Sequence, residues 1–316
     1  MGKTLNTAYL LLLPLAVAGW NLGLPAAAGL LLLGLAWRWA VTAAGLGRKS
    51  RGAEICLEAI SASHFVEKVR WCLDRLGLDY TERRAGGTLG AVFLGRTVPR
   101  MTFRSGAVTS RIGNSSHILR YLWGRYGHQA DAAFLEPTAE AVALEKRLDH
   151  YGVDLQVWIY THLLPNRKLT LHAWGMHDPA VPLWQRWLLP VVFPLAALMV
   201  RRGFRISPAS YQKSRQRIGE LLAELDQTIG PDAGFLLGGE SPSYVDFTFA
   251  ALSSLWAQPE GFALGRSAAA IPSADQTPEG MAMDQAEWSR GYPNVVALIE
   301  RLYRDYRAPA TPSRSS

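Results

Sequence analysis

Cysteine is scarce in this sequence, and its scarcity argues against one kind of chemistry. Only Cys56 and Cys72 occur among 316 residues, and they form no CxxC pair. Dithiol redox catalysis is therefore not expected. Cys56 falls in a predicted strand and Cys72 on the apolar face of a predicted helix, so both are predicted to be buried thiols of a reducing compartment.

Motifs for phosphate and metal binding are missing as well. The sequence contains no glycine-rich phosphate loop and no zinc-type ligand spacing. Its seven histidines are scattered, and His172 and His177 lie in a loop-like stretch without further ligands. We therefore expect no metal cofactor.

The net charge of +7 does not predict nucleic-acid binding. Part of the excess lies in a basic cluster at residues 48–51 and in Arg201-Arg202, and the other basic residues are mixed with acidic ones along helices. An anionic membrane surface explains this distribution better, so membrane lipid is an expected partner and nucleic acid is not.

Charge is nearly absent from residues 8–44, where Arg38 is the exception. Asn21 and Pro25 interrupt this apolar run. It therefore predicts either two short helices that form a transmembrane hairpin, or a single span from about residue 25 to 44 after an embedded segment. Tryptophans stand where interfacial aromatics would. We expect a membrane anchor over residues 1–47.

A cleaved signal peptide is the alternative for this N-terminal run. Lys3 supplies a thin positive region, and Ala26-Ala27-Ala28 could mimic a cleavage site. A second apolar run follows at once, however, and a secreted domain would not tolerate its exposure. The basic residues at 48–51 predict, by the positive-inside rule, that the chain from residue 53 onward faces the cytoplasm.

Residues 55–84 predict a strand–helix–strand unit. The helix has a buried face on Phe65, Val69 and Leu73, and Gly77 ends it. A helix N-terminus carries unpaired N–H groups and a partial positive charge, which favour an anion. The serine-rich turn before the helix is therefore a candidate site, although Ser61 or Ser63 could serve only as the N-cap. His64 is predicted to be an exposed neighbour.

Four motifs in order resemble the glutathione transferase family. They are Ser63 followed by Lys68-Val69-Arg70-Trp71 and Leu76-Gly77, the pair Val98-Pro99, the run Asn114-Ser115-Ser116-His117-Ile118-Leu119-Arg120-Tyr121-Leu122, and Phe235-Leu236-Leu237-Gly238-Gly239 with Ser243-Tyr244-Val245-Asp246. The resemblance covers residues 53 to 305.

The resemblance implies an α/β thioredoxin-like domain over residues 53–128, which binds glutathione as co-substrate, and an all-α helical domain over residues 138–308 with an apolar pocket for a hydrophobic small-molecule substrate. Residues 309–316 are expected to be disordered. A homodimer is an open alternative.

The resemblance also implies roles for individual residues. Ser63 is the catalytic candidate, because its hydroxyl would donate to the thiolate and lower the pKa of the thiol. Val98 and a cis Pro99 would present backbone groups to the peptide ligand. Ser115, with nearby amides, would hold the γ-glutamyl carboxylate.

Asn114 departs from the family pattern, which has Glu or Asp at this position to pair with the ligand's amino group. An asparagine accepts a hydrogen bond but carries no charge. The chain is therefore expected to be a membrane-anchored transferase-like enzyme, or alternatively a non-catalytic binding or assembly module of the same fold. The lack of a cysteine or tyrosine at the helix start favours the alternative.

Helical patterns dominate the second half of the chain. Residues 138–164 and 208–229 predict long helices, the second capped by Ser207. Ser243 and Asp246 predict a reciprocal cap, and residues 265–284 predict a loose loop.

The apolar segment at residues 184–202 is the hardest to interpret. It is broken by Pro190 and Pro194 and is predicted to be too short and too bent for an ordinary membrane span. Three readings stay open: a buried core helix, a helix that dips into the bilayer, and a wall of the substrate pocket.

Overall fold

The computed structural model describes most of the chain. The described residues are 15–17, 19–21, 23–46, 53–84, 87–95, 97–105, 108–231, 234–267, 270–271 and 273–307. The predicted disordered tail at 309–316 and the first part of the predicted anchor, residues 1–14, lie outside them. The chain divides into two compact units, Met1–Glu54 with Arg104–Thr109, and Ile55–Phe103 with Ser110–Ser316.

The first unit contains helix α1, Leu24–Leu46. Pro25 stands in its first turn, where a missing N–H costs nothing. Large apolar side chains on α1 are exposed, including Leu33, Trp37 and Trp39. The helix covers the stretch for which the sequence predicts a single span, but its apolar part, Leu24–Trp37, is short for a membrane crossing. The hairpin alternative falls largely outside the described residues and stays a prediction.

The described strands form one four-stranded sheet in the order β2-β1-β3-β4. Their bounds are β1 Ala53–Glu58, β2 Tyr80–Arg83, β3 Arg100–Ser105 and β4 Val108–Gly113. Strands β1 and β2 are parallel, with Ile55 opposite Tyr80, because a crossover helix returns the chain to the same end of the sheet.

Helices flank the sheet and then make up the rest of the second unit. Their bounds are α2 His64–Arg75, α3 Gly87–Leu94, α4 Ser115–Tyr126, α5 Ala139–Leu163, α6 Arg167–Ala173, α7 Leu183–Gly203, α8 Pro208–Ile229, α9 Tyr244–Ala257, α10 Glu279–Gly291 and α11 Pro293–Tyr306. The succession β1-α2-β2, then α3, then β3-β4-α4 is the thioredoxin-like arrangement that the resemblance implies, and a helical region follows it.

One apolar core runs through the sheet part and the helical region. Strands β1 and β3 contribute Leu57 and Met101, α2 contributes Trp71, α5 contributes Trp158, and α9 contributes Phe247; all five side chains are fully buried. The link between the two parts contains a 3-10 turn, Ala130–Leu135, which buries its last leucine in the same core. The second unit is thus stabilised by packing across both parts.

The predicted caps and helix bounds are largely confirmed. Ser207 accepts a hydrogen bond from the amide of Ser210 at 3.1 Å, and the helix that follows begins at Pro208. Asp246 accepts hydrogen bonds from the amide and hydroxyl of Ser243, both at 2.8 Å, and the Ser243 side chain accepts from the Asp246 amide, which completes the predicted reciprocal cap. It also accepts from the amide of Leu236 at 2.8 Å.

The loop predicted for residues 265–284 is partly wrong, because α10 begins at Glu279. Met281, Asp284 and Trp288 are buried on it. These positions follow the helical spacing, but the many small residues before them conceal the pattern in the sequence.

The segment predicted at 184–202 is one continuous helix, α7, of 21 residues. Among the described helices it is the one that is long and apolar enough, by length and composition, to cross a membrane, so the prediction that it is too short was wrong. Leu189, Phe193 and Val200 pack into a second apolar cluster with Leu164 and Trp174. The buried-helix reading therefore holds for one face only.

Candidate functional site

A cavity of about 980 Å³ opens in the second unit at the start of α2. All five residues that the sequence analysis predicts for the site line it: Ser63, Val98, Pro99, Asn114 and Ser115. These positions come from three separate segments, so their convergence depends on the fold. Their chemical roles stay predictions.

Ser63 is the N-cap of α2. Its side-chain oxygen accepts from the amide of Val66 at 3.4 Å, and its carbonyl accepts from the amide of Glu67 at 3.0 Å. The cap uses a lone pair of the hydroxyl oxygen, so the O–H hydrogen is not consumed by it. Ser63 can therefore cap the helix and donate a hydrogen bond to an anion at the same time.

Ser61 has a different role. It is buried, and its hydroxyl donates to the Asp178 carboxylate at 2.5 Å. Arg84 pairs with the same carboxylate, and the hydroxyl of Ser267 donates to the Ser61 carbonyl. This cluster fixes the turn before α2 from segments far away in the sequence. Within this turn, Ser63 and not Ser61 lines the cavity.

His64 is buried, not exposed as predicted, with 4% of its surface accessible. Its Nε2 lies 3.2 Å from the Gly152 carbonyl oxygen. Because a carbonyl only accepts, Nε2 must carry the proton. Burial lowers the pKa of His64 to about 4, although the hydrogen bond to Gly152 opposes the shift. A neutral histidine beside Ser63 adds no positive charge to the site. The N-terminus of α2 is therefore the feature that favours an anion there.

The other predicted residues lie at the ends of β3 and α4. The Val98-Pro99 peptide bond is cis, as the resemblance implies. Ser115 is buried at the first position of α4. Asn114 caps α4 by accepting from the amide of Ser116 at 2.9 Å, and it does so at a φ of 71°, a region that asparagine tolerates better than most residues.

A carboxylate that the sequence analysis missed lies in the same cavity. Asp149, on α5, accepts from the hydroxyl of Ser116 at 2.9 Å and lines the cavity beside Asn114 and Ser115. Its carboxylate is about one-third exposed. Asp149 thus supplies a negative charge next to the position where Asn114 lacks one.

A buried lysine stabilises this polar wall. The Lys68 ammonium donates to Glu145 at 2.8 Å, to Ser116 at 3.0 Å and to Asp149 at 3.4 Å. Arg120 pairs with the second oxygen of Glu145. The Lys68 side chain is fully buried, so this network holds α2, α4 and α5 in fixed positions around the cavity.

The remaining wall is apolar and comes from α3, α5 and α7 and from the residues that follow α6 and α7. Its larger side chains are Val92, Ile159, Leu163, Trp174, Met199 and Phe204. Met281 of α10 also reaches it. A cavity with a few polar groups at the helix termini and an apolar wall suits a ligand that has one polar and one apolar part.

Neither cysteine belongs to this site. Cys72 is buried as predicted, whereas Cys56 is half-buried. Burial raises the pKa of the Cys72 thiol to about 12, although the charge of Lys68 partly opposes the shift. Within the described residues, no group of three or more His, Cys, Asp or Glu side chains is placed to hold a metal ion.

No family model and no curated protein matches this sequence. Solved structures are similar in fold, with low sequence identity. A glutathione S-transferase of Methylobacterium radiotolerans, in complex with glutathione sulfonate, is 15% identical over 82% of this chain and 96% of its own, with a TM-score of 0.48.

A glutathione S-transferase of Ceriporiopsis subvermispora, in complex with glutathione, is 16% identical over 82% of this chain and 99% of its own, with a TM-score of 0.47. FzlA from C. crescentus is 16% identical over 82% of this chain and 96% of its own, with a TM-score of 0.39. These likenesses are too distant to support an argument about function, so the chain's own topology carries the fold assignment: a thioredoxin-like sheet followed by a helical region.

Proposed function

We propose that this protein is a membrane-anchored glutathione transferase-like enzyme that adds the thiol of glutathione to a hydrophobic electrophile. The observation that supports it most is the convergence of Ser63, the Val98-Pro99 pair and the Asn114-Ser115 pair on one cavity. These segments are the ones that the family resemblance singles out for the thiol, the peptide and the γ-glutamyl group.

In the proposed reaction, the glutathione thiolate lies at the N-terminus of α2. The free amides of the first turn and the Ser63 hydroxyl hydrogen stabilise its charge. The thiol proton passes to solvent when the thiolate forms. The sulfur then forms a bond to an electrophilic carbon, while a leaving group departs with its electron pair or a conjugated double bond accepts the pair and then a proton from solvent. The serine hydroxyl donates throughout and is not consumed.

The γ-glutamyl end of glutathione would bind at α4. Ser115 and the first amides of this helix suit its carboxylate. Asp149 suits its ammonium group, because it provides the charge that Asn114 lacks. The apolar wall formed by α5 and α7 then accepts the hydrophobic electrophile.

The anchor belongs to the same proposal. The nearly uncharged run at residues 8–44, with the basic cluster after it, would hold the protein in the membrane with its second unit in the cytoplasm. Washing membranes with alkaline carbonate tests this directly. Retention of the full chain in the pellet is expected, and release into the supernatant would contradict the anchor.

Calorimetry of glutathione with the detergent-solubilised full chain tests the site. We expect saturable binding that Ser115→Ala weakens by about tenfold or more, because a hydrogen bond to a charged group contributes about 1.5–3 kcal/mol. Ser289→Ala, at an exposed position on α10, is the matched control and should bind like the wild type.

A binding or assembly module of the same fold is the second candidate. The uncharged Asn114 and the lack of a cysteine or tyrosine at the start of α2 favour it. Absence of glutathione binding in the calorimetry would support this candidate and contradict the enzyme.

A further inference from the structure

The two faces of α7 differ in what surrounds them. One face packs inward through Leu189, Phe193 and Val200. The opposite face, here called the outer face, is exposed and apolar, and its residues recur at helical spacing: Trp184, Trp187, Leu188, Val191, Leu195 and Leu198. Trp187 is 73% exposed and Val191 is 75% exposed. A continuous apolar strip of this kind indicates a binding surface rather than a solvated one.

An arginine supports the helix where its prolines interrupt the backbone ladder. Pro194 has no N–H, so it cannot pair with the carbonyl of Pro190, four residues earlier. The Arg167 side chain donates to that carbonyl at 3.0 Å. This bond satisfies the carbonyl that Pro194 leaves without a backbone partner, and α7 continues to Gly203.

The chain segment that contains the outer face is strongly positive. Between residues 166 and 207 the basic residues are Arg167, Lys168, Arg186, Arg201, Arg202 and Arg205, and Asp178 is the sole acidic one. The Asp178 carboxylate is buried and paired with Arg84. Arg201, Arg202 and Arg205 are exposed and follow directly after the apolar strip.

This combination matches an anionic lipid surface. Tryptophan favours the boundary between headgroups and acyl chains, the leucines and valine supply area for insertion, and the arginines complement anionic headgroups. A membrane-spanning position does not fit, because Leu189, Phe193 and Val200 pack on protein and not on lipid.

We propose that the outer face of α7 lies in the headgroup–acyl boundary of an anionic membrane, with the helix parallel to the surface. This contact would attach the second unit to the bilayer independently of α1. It goes beyond the proposed transferase function and requires no glutathione.

Nitroxide labels on the full chain in vesicles of phosphatidylcholine and phosphatidylglycerol test this proposal. A label at Val191→Cys reports on the outer face, and one at Lys213→Cys, at an exposed position of α8, is the control. Both are made in a Cys56→Ser, Cys72→Ala background. At Val191 we expect several-fold greater relaxation by oxygen, which enters lipid, than by a water-soluble nickel complex, and the reverse at Lys213.

Labels at Trp187→Cys and Leu198→Cys distinguish the orientations. Equal, shallow depths at both are expected for a helix parallel to the surface. A steep depth gradient along α7 would indicate a span and overturn the proposal, as would spin–spin broadening from contact between two copies. Nickel accessibility at Val191 as high as at Lys213 would overturn it too. Vesicles of phosphatidylcholine alone should reduce the oxygen preference at Val191, and an unchanged preference would contradict the electrostatic argument.

Discussion

Lys68 and Glu145 form a buried ion pair with the ammonium nitrogen 2.8 Å from the carboxylate oxygen. The pair joins α2 of the sheet part to α5 of the helical region. The Lys68 side chain is fully buried and that of Glu145 is 5% exposed, so water does not solvate either charge. Each charge therefore depends on buried partners. Glu145 is held by Lys68 and also by Arg120, and Lys68 also reaches Asp149. The hydrogen bond from Lys68 to Ser116 links the pair to the wall of the cavity.

Removing one member of this pair should destabilise the fold strongly. Lys68→Met is expected to lower the free energy of unfolding by up to about 3–5 kcal/mol, because it leaves the buried Glu145 carboxylate with Arg120 as its remaining charged partner. The double variant Lys68→Met with Glu145→Leu should recover part of the loss, because it removes the buried carboxylate, while Arg120 is partly exposed and keeps its hydrogen bond to Tyr244. Urea unfolding of the solubilised protein measures both, and Lys213→Met is the surface control. A single variant as stable as the wild type would contradict the dependence.

Ser63→Ala should reduce turnover with a generic electrophile by about ten- to a thousandfold while glutathione affinity is mostly retained. The hydroxyl acts on the thiolate, whereas Ser115 and its neighbours act on the peptide. Loss of the cap should also cost about 1 kcal/mol of stability. Steady-state kinetics and calorimetry on the same preparation separate these effects. Full activity in the alanine variant would show that Ser63 is only a helix cap.

The charge at Asp149 should control affinity for the ligand's ammonium group. Asp149→Asn is expected to weaken glutathione binding by about tenfold, since a charge-assisted hydrogen bond becomes a neutral one. Asn114→Asp should strengthen binding, because aspartate keeps the capping oxygen and adds the missing charge. Calorimetry with both variants, and with glutathione lacking its free amine as a second ligand, provides the measurement. Equal affinities of wild type and Asp149→Asn would exclude this role.

His64 should make stability depend on pH. Its pKa in the folded protein is about 4, whereas that of an unfolded histidine is about 6.5. Between pH 4 and 6.5 the unfolded chain therefore binds more protons than the folded one. The contribution of neutral His64 to the free energy of unfolding is fully present above about pH 6.5 and is lost as the pH falls through about 4. Over this pH range the free energy of unfolding changes by about 3 kcal/mol.

Denaturant unfolding at a series of pH values measures the effect. In His64→Gln the side-chain amide can still donate to Gly152 but does not titrate, so its stability should vary less between pH 4 and 6.5. Parallel curves for the two proteins would show that His64 is not the group responsible.

The sequence predicts what depends on local pattern. The cap at Ser207, the start of α8 at Pro208 and the reciprocal Ser243–Asp246 cap each need only a few consecutive residues, and all three are confirmed. The sheet part was identified from the short motif runs and the alternation of elements around them.

What the sequence could not show depends on contacts between distant residues. Ser61 and Asp178 are 117 positions apart, and Lys68 and Glu145 are 77 apart. Nothing near Asp149 in the sequence marks it as a member of the cavity wall. The burial of His64 arises from α5, which supplies the Gly152 carbonyl from 88 positions away. The residues around His64 in the sequence therefore do not predict it.

The tie between Arg307 and α2 has a consequence for synthesis of the protein on the ribosome. The Arg307 guanidinium donates to the buried Glu67 carboxylate at 2.6 Å across 240 positions, and it also donates to Asp74 at 2.9 Å. The Trp71 indole donates to the Tyr306 carbonyl at 3.1 Å. During translation α2 therefore emerges long before these partners, with a carboxylate and an indole that lack their final contacts. The final packing around α2 can accordingly form only after Arg307 has left the exit tunnel.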